Sequence, residues 1–260
     1  MKRIICGLLL VLAGQVQAID WRDSPAVAEA FARAGVTGTF VLHEVGSERW
    51  QGHNRQRALT RYSPASTFKL AHTLIGLDTG AVSSVDEVFP YDGKPKFLKS
   101  WEKDMGLREA LKVSNVSVYQ ALARRIGLSR MRGRVGALDY GNGQIGSQVD
   151  QFWLRGPLAI SAVEQTRFLA RLVQDGLPVT PAIQAQVRDI SLLEQGPGWR
   201  LYGKTGWATS GDPDVGWWVG WVEQQGKRYS FALNIDTHGE ADLPKRIELG
   251  KASLRLFKLL

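Results

Sequence analysis

The chain has 260 residues, 44 % apolar and 22 % charged, with a formal net charge of +8. Those values suit one large domain, or two interleaved lobes, around a sizeable core, and they exclude an intrinsically disordered chain. The basic residues are scattered with no run of five or six, which favours a solvated basic surface and argues against nucleic-acid binding.

Residues 1–18 read as a cleavable export signal. Lys2 and Arg3 precede the apolar run Ile4 to Leu12, and Val16-Gln17-Ala18 supplies small residues at a cleavage spacing. The run is about half of the ~20 residues a bilayer span needs, so cleavage is expected rather than stable membrane insertion. Cys6, the single cysteine, falls inside this segment. The mature chain, 19–260, is therefore expected in the periplasm or secreted, held together without a disulfide.

Residues 21–34 are expected as a helix stopped by Gly35 and Gly38. Thr39 to Val45 alternates as a strand, with Arg49 to Gly52 returning beside it. An apolar helical pattern runs from Ser66 to Asp78 and ends at Gly80. A second helix is expected over 106–126, a glycine-rich loop over 140–157, and a third helix over 161–174. The last third turns to strands: Arg200 to Tyr202, Gly216 to Glu223 and Arg228 to Asp236, the last two joined by a turn at 224–227. Pro244 to Leu259 closes the chain as an amphipathic helix. This order predicts an α/β (α+β) fold: a central antiparallel sheet flanked by helices, with a helical lobe inserted between its strands. A ligand cleft is expected at the seam of sheet and lobe.

Ser66-Thr67-Phe68-Lys69 is the central chemical feature. Positions i and i+3 share a helix face, so the hydroxyl and the amine can meet, and a helix start favours a developing anion. One Ser-x-x-Lys match is expected by chance in a chain of this length, and Ser100-Trp101-Glu102-Lys103 is a second copy. Lys204-Thr205-Gly206 follows a strand-like segment. In a strand Lys204 and Gly206 share one face and Thr205 takes the other, so a twist or bulge is expected if both polar side chains are to reach one ligand. Ser114-Asn115-Val116 is expected mid-helix, and Tyr140-Gly141-Asn142 as a turn. The four histidines, His43, His53, His72 and His238, form no recognisable triad and no metal-ligand spacing, and His72 is expected to be structural. No metal site is expected.

In this order and spacing the four motifs resemble the penicillin-recognising serine enzymes, and their variants resemble the class D β-lactamases. Trp153 in Phe152-Trp153-Leu154, Arg246 in Leu243-Pro244-Lys245-Arg246, Trp101 and the Gly216-Trp217-Trp218-Val219-Gly220-Trp221 segment extend the likeness over 19–260. The resemblance implies one β-lactamase/transpeptidase-like catalytic domain acting on small-molecule β-lactam antibiotics. It implies Ser66 as nucleophile, Lys69 as base, Ser114 as proton relay, and the backbone amides of Ser66 and Trp207 around the oxyanion. It further implies Lys204, Thr205 and Arg246 on the drug carboxylate, Gly206 where the substrate approaches the backbone, Trp101 and Tyr140 among the substrate-binding residues, and Val116 and Leu154 as apolar covers. No bound cofactor is implied beyond carbon dioxide or bicarbonate, taken up as N6-carboxylation of Lys69 beside the Trp153 indole. Two rivals share the acylation machinery: a cell-wall D,D-peptidase and a non-hydrolytic β-lactam sensor domain. Short mature length, the lack of a membrane anchor and Trp153 argue against the peptidase, and the lack of tethering transmembrane helices argues against the sensor. Oligomeric state has no signature in the sequence.

Overall fold

The computed structural model describes residues 19–260, so the expected export segment lies outside the described residues. In chain order the elements begin with β1 (Asp20–Asp23), α1 (Pro25–Arg33), β2 (Gly38–Glu44), β3 (Arg49–His53) and α2 (Arg55–Leu59). A 3₁₀ turn at Ala65–Phe68 leads into α3 (Lys69–Asp78), and another spans Lys99–Trp101. Then come α4 (Leu107–Lys112), α5 (Val116–Ile126), α6 (Leu128–Ala137), α7 (Phe152–Arg155), α8 (Ala162–Val173) and α9 (Pro181–Ile190). The chain ends with β4 (Leu192–Gly196), β5 (Trp199–Ala208), β6 (Asp214–Gln224), β7 (Lys227–Thr237) and α10 (Lys245–Leu256).

The seven strands form one sheet in the order β1-β3-β2-β7-β6-β5-β4. All neighbours are antiparallel except β1, which runs parallel to β3. Helices α2 to α9 lie in sequence between β3 and β4, so strands distant in the chain share the sheet and the lobe is inserted between them, as expected.

Side-chain alternation explains why β6 reads as an unbroken apolar run. Trp217, Val219 and Trp221 join the core with the helical lobe, while Trp218 and Val222 join a second core with α1 and α10. A sheet covered on both faces has no polar side. Gly250 of α10 admits the Trp218 ring, since a Cβ there would stand 2.1 Å from it.

Three expectations change. The first helix begins at Pro25 rather than Trp21, because the Ser24 side chain caps it and proline suits the first turn. Trp21 instead sits in β1, opposite Trp50. The helix expected over 106–126 is two helices. Ser114 takes a left-handed conformation at φ +58°, and the Asn115 side chain caps α5 by accepting from Val118 N–H. Finally, the strand expected to end near Tyr202 continues through Lys204, Thr205, Gly206 and Trp207 to Ala208 in unbroken register with β6. No bulge interrupts that pairing. Lys204 crosses instead by its own long side chain, whose Nζ lies 3.0 Å from Thr205 O and 3.4 Å from Thr205 Oγ1.

Candidate active site

Ser66 sits in the 3₁₀ turn before α3, half-buried, and the preceding Ala65 is held at φ +45°. A non-glycine residue in that region costs of order 1–3 kcal/mol and persists only when its surroundings over-determine it. Here they do. Thr67 Oγ1 donates to Pro64 O at 2.7 Å, and Gln165 Nε2 donates to Thr67 Oγ1 at 2.8 Å. Trp217 Nε1 donates to Ser63 O at 2.9 Å, and Ser63 Oγ to Trp153 O at 3.0 Å.

One turn on, Lys69 is fully buried and its Nζ lies 2.6 Å from Ser66 Oγ. No carboxylate is paired with it among the described residues; its nearest aromatic face is Tyr119, 5.3 Å from Nζ to ring centroid. Burial, and then the charge of Lys204, hold the Lys69 amine well below the usual lysine range. A neutral amine in contact with a serine hydroxyl can take its proton.

The pocket around Lys69 carries unpaired nitrogens. Trp153 is fully buried on α7 with Nε1 unpartnered, and His72 is fully buried with both ring nitrogens unpartnered. The two rings meet edge to face at 5.0 Å, and both touch Phe68. Burial, then Lys69, push His72 down to about 3, so it stays neutral at physiological pH. Buried polar atoms ordinarily find partners, so three orphans beside one amine mark a place built for a further polar group.

Across the cleft, Lys204 Nζ donates to Ser114 Oγ at 3.0 Å. Burial, then Arg246, bring Lys204 down to about 7. Arg246, near the start of α10, donates from one terminal nitrogen to Gly206 O at 2.5 Å and from Nε to Leu243 O at 2.7 Å. Its stem lies over Gly216, where a Cβ would stand 2.8 Å from Arg246 Cδ. Burial lowers Arg246 to about 10, which leaves it cationic at neutral pH.

The edge of β5 completes the site. Pairing with β4 stops at Tyr202, and Gly203 N–H donates toward Ser191 O at 2.9 Å. Strand period two then aims the amides of Thr205 and Trp207 to the same, open side. Gly206 lies so close to the Ser66 turn that a Cβ would stand 3.0 Å from Pro64 O and 3.1 Å from Thr67 Cγ2. Ser66 N–H, in the first turn of its 3₁₀ segment, has no intrahelical acceptor. The open edge of β5 and the Ser66 turn thus lie against one another, each with a backbone donor free of a strand or helix partner.

Trp101 is almost buried, with Nε1 donating to Val113 O at 3.0 Å, next to the Ser114 break. Val116 opens α5 and Leu154 lies on α7, both half-buried. Tyr140 is a correction. It is completely buried, packed edge to face on Phe68 and Phe168, with its hydroxyl 3.4 Å from Gln165 Oε1, and no part of it can touch a ligand. The Tyr140-Gly141-Asn142 segment is a brace: Asn142 donates to Pro157 O at 2.9 Å and accepts from Ala159 N–H at 3.1 Å. It thereby closes the loop that carries Trp153. The second Ser-x-x-Lys copy is not a site, since Ser100 and Lys103 are exposed and Lys103 pairs with Glu109. Sequence reasoning missed Gln165, Asn115 and Tyr119, and assigned His72 no role at the base; Gln165 and Tyr119 carry no local signature because Thr67 and Thr73 lie far away in the chain, whereas Asn115 is legible as the cap three residues before Val118.

A serine that follows a strained residue, a buried lysine whose amine is held well below its usual range, backbone donors near the serine and a cationic far wall define a serine acyl-transfer centre for an anionic amide or ester. The comparisons agree with that class. The penicillin binding protein transpeptidase domain matches residues 37–255. The chain is 42 % identical to β-lactamase OXA-5 of Pseudomonas aeruginosa over 250 residues, covering 95 % of this chain and 94 % of the relative. It is 37 % identical to β-lactamase OXA-48 of Klebsiella pneumoniae, covering 93 % and 91 %. Among solved structures, the class D β-lactamase FUS-1 (OXA-85) from Fusobacterium nucleatum subsp. polymorphum superposes with a TM-score of 0.89 at 44 % identity, over 92 % of this chain and all of that one. The chain belongs to the class D β-lactamases, which are serine hydrolases.

Proposed function

We propose that the protein opens the β-lactam ring of penicillin-type antibiotics through an acyl-enzyme on Ser66, and so confers resistance. The observation that carries this reading is the 2.6 Å contact between Ser66 Oγ and a fully buried Lys69 with no anionic partner. The Lys69 side chain takes the Ser66 proton as Oγ adds to the lactam carbonyl. The amides of Ser66 and Trp207 receive the oxyanion. When the C–N bond breaks, Ser114 passes a proton to the ring nitrogen, backed by Lys204. Thr205, Lys204 and Arg246 hold the drug carboxylate, and Trp101 walls the pocket. Water then attacks the ester, losing its proton to the Lys69 side chain, and Ser66 is released. Val116 and Leu154 restrict water at the base.

A carbamate on Lys69 fits this pocket. Protonating the bare amine would leave a buried cation with no counter-ion, facing Lys204, which is costly. The neutral amine is the form that reacts with carbon dioxide, and the orphaned Trp153 Nε1 is a donor awaiting an acceptor. Such a group would supply an anionic base at the same place, held by Trp153.

No helix among the described residues is long and apolar enough to cross a membrane. We infer export through residues 1–18; N-terminal sequencing of periplasmic protein should begin at Ile19. The enzymatic reading is tested with a chromogenic cephalosporin. Sustained turnover supports it, whereas a single stoichiometric burst would assign a peptidase or sensor.

A further inference from the structure

Gln165 lies on α8 and donates from Nε2 to Thr67 Oγ1 at 2.8 Å. The Thr67 hydroxyl has one proton, which goes to Pro64 O at 2.7 Å, so Thr67 accepts from Gln165 and the orientation of the amide is fixed. Pro64 O also receives the Thr67 N–H at 3.1 Å. Two bonds to one carbonyl thus close the turn Pro64-Ala65-Ser66-Thr67, in which Ala65 stands at φ +45°. Thr67 faces β5 as well, since a Cβ on Gly206 would stand 3.1 Å from Thr67 Cγ2 and 3.3 Å from its backbone nitrogen.

Helix α8 is a firm reference for that contact. The Ser161–Glu164 capping box closes its first turn, and Arg61 Nε donates to both Glu164 carboxylate oxygens at 3.0 Å. Trp50 Nε1 donates to Thr166 Oγ1 at 3.0 Å and Ser230 Oγ to Thr166 O at 3.0 Å, which fastens the helix to β3 and β7. Tyr140 reaches the opposite end of the Gln165 amide, at a longer 3.4 Å to Oε1.

We propose that Gln165 is a positioning residue for acylation: its amide hydrogen bond to Thr67 carries the rigidity of α8 and the sheet into the Ser66 turn and keeps Ser66 Oγ on Lys69 Nζ. The proposal rests on the acyl-serine reading above. At 1 % exposure Gln165 cannot touch a drug, and it acts through Thr67. Without it the Thr67 hydroxyl is free to rotate off Pro64 O, and Ala65 relaxes out of its left-handed conformation. Ser66 Oγ then leaves its 2.6 Å contact with the amine. The carboxylate clamp, on β5 and α10, is untouched. Losing Gln165 therefore slows bond formation to Ser66 and leaves drug binding intact.

The test is made on the full enzyme with benzylpenicillin. Gln165→Met keeps the length of the side chain and deletes the donor. Its kcat/KM should fall about ten- to a hundredfold, the scale of a nucleophile displaced by up to about 1 Å. In a Ser66→Ala background the same substitution should leave Kd for benzylpenicillin within about twofold, a split that general damage to the site would not give. Thr67→Val should cost a similar factor in kcat/KM, and adding Gln165→Met to it should cost no more than about twofold further, because both remove one bond. Gln165→Glu is the conservative rescue and guards against a fault in folding. In mildly acidic buffer a buried carboxyl keeps its proton and donates to Thr67 as the amide does, so kcat/KM should approach that of the unaltered enzyme in the same buffer. Unchanged kcat/KM in Gln165→Met, additive losses with Thr67→Val, weakened binding in the Ser66→Ala background, or a Gln165→Glu enzyme as impaired as Gln165→Met in acidic buffer would each overturn the assignment. An unaltered protein that forms no penicilloyl ester on Ser66 would instead defeat the acyl-serine reading itself.

Discussion

Lys204 Nζ donates to Ser114 Oγ across 3.0 Å, joining a strand of the sheet to the break between two helices ninety residues earlier in the chain. That contact fastens the cleft shut on one side of Ser66. It also keeps the buried Lys204 amine next to Ser114, the proposed relay of the leaving-group proton.

Lys204 sets a pH dependence. Lowered to about 7, it loses its proton as pH rises through that value, and with it the charge that attracts a drug carboxylate. Lys69 acts in the opposite sense: its depressed amine must be neutral, so activity falls as pH drops through its pKa. The kcat/KM profile for benzylpenicillin should be bell-shaped. The basic limb of kcat should lie higher, because a bound carboxylate stabilises protonated Lys204. Lys204→Arg should move the basic limb upward; a limb that stays in place would show that another group governs it.

Replacing Ser66 by alanine should lower hydrolysis by at least about 10³-fold and abolish covalent labelling by penicillin. Ser100→Ala should change neither, since Ser100 is exposed and Lys103 is engaged by Glu109. Peptide mapping of the penicilloyl adduct by mass spectrometry decides between them.

Arg246→Ala removes a cation whose guanidinium touches the Gly206 carbonyl. Losing one charge-assisted hydrogen bond to the drug, about 1.5–3 kcal/mol, should cost roughly ten- to a hundredfold in kcat/KM. Gly216→Ala should reproduce part of the loss, because its Cβ would collide with the arginine stem. Unchanged kcat/KM in Arg246→Ala would remove it from the clamp.

Trp153→Phe keeps an apolar ring and deletes the orphaned N–H. After degassing in mildly acidic buffer, the unaltered enzyme should recover activity with bicarbonate and show a carbamate resonance in carbon-13 NMR. The variant should show a weakened resonance and accumulate acyl-enzyme. Full activity with neither resonance nor bicarbonate response would establish Lys69 as a free amine.

Tyr140→Phe should leave kcat/KM within about twofold and lower stability by about 1 kcal/mol, the scale of a buried neutral hydroxyl that meets Gln165 at 3.4 Å and Thr67. A large kinetic loss with unchanged stability would restore Tyr140 to the substrate wall. Thermal melts beside steady-state kinetics separate the two.

The parts of the site legible in the sequence are those set by local geometry. Ser66 and Lys69 meet because i and i+3 share a face, and Lys204 faces the lobe because a strand alternates. The class of fold follows from the order of strands and helices, and the apolar run at 216–222 announces a strand buried on both sides. Other features depend on residues far away in the chain. Ser114 turns left-handed because Asn115 is free to cap α5 and reach Trp101 O, at 3.4 Å, which no helical periodicity records. Tyr140 belongs to the core because Phe68, Phe168 and Gln165 enclose it. The depressed amine of Lys69 and the orphaned nitrogens of Trp153 and His72 exist only once the lobe has closed on the sheet. Desolvation and unpaired hydrogen bonds are properties of an enclosed volume, and the tertiary structure alone creates that volume.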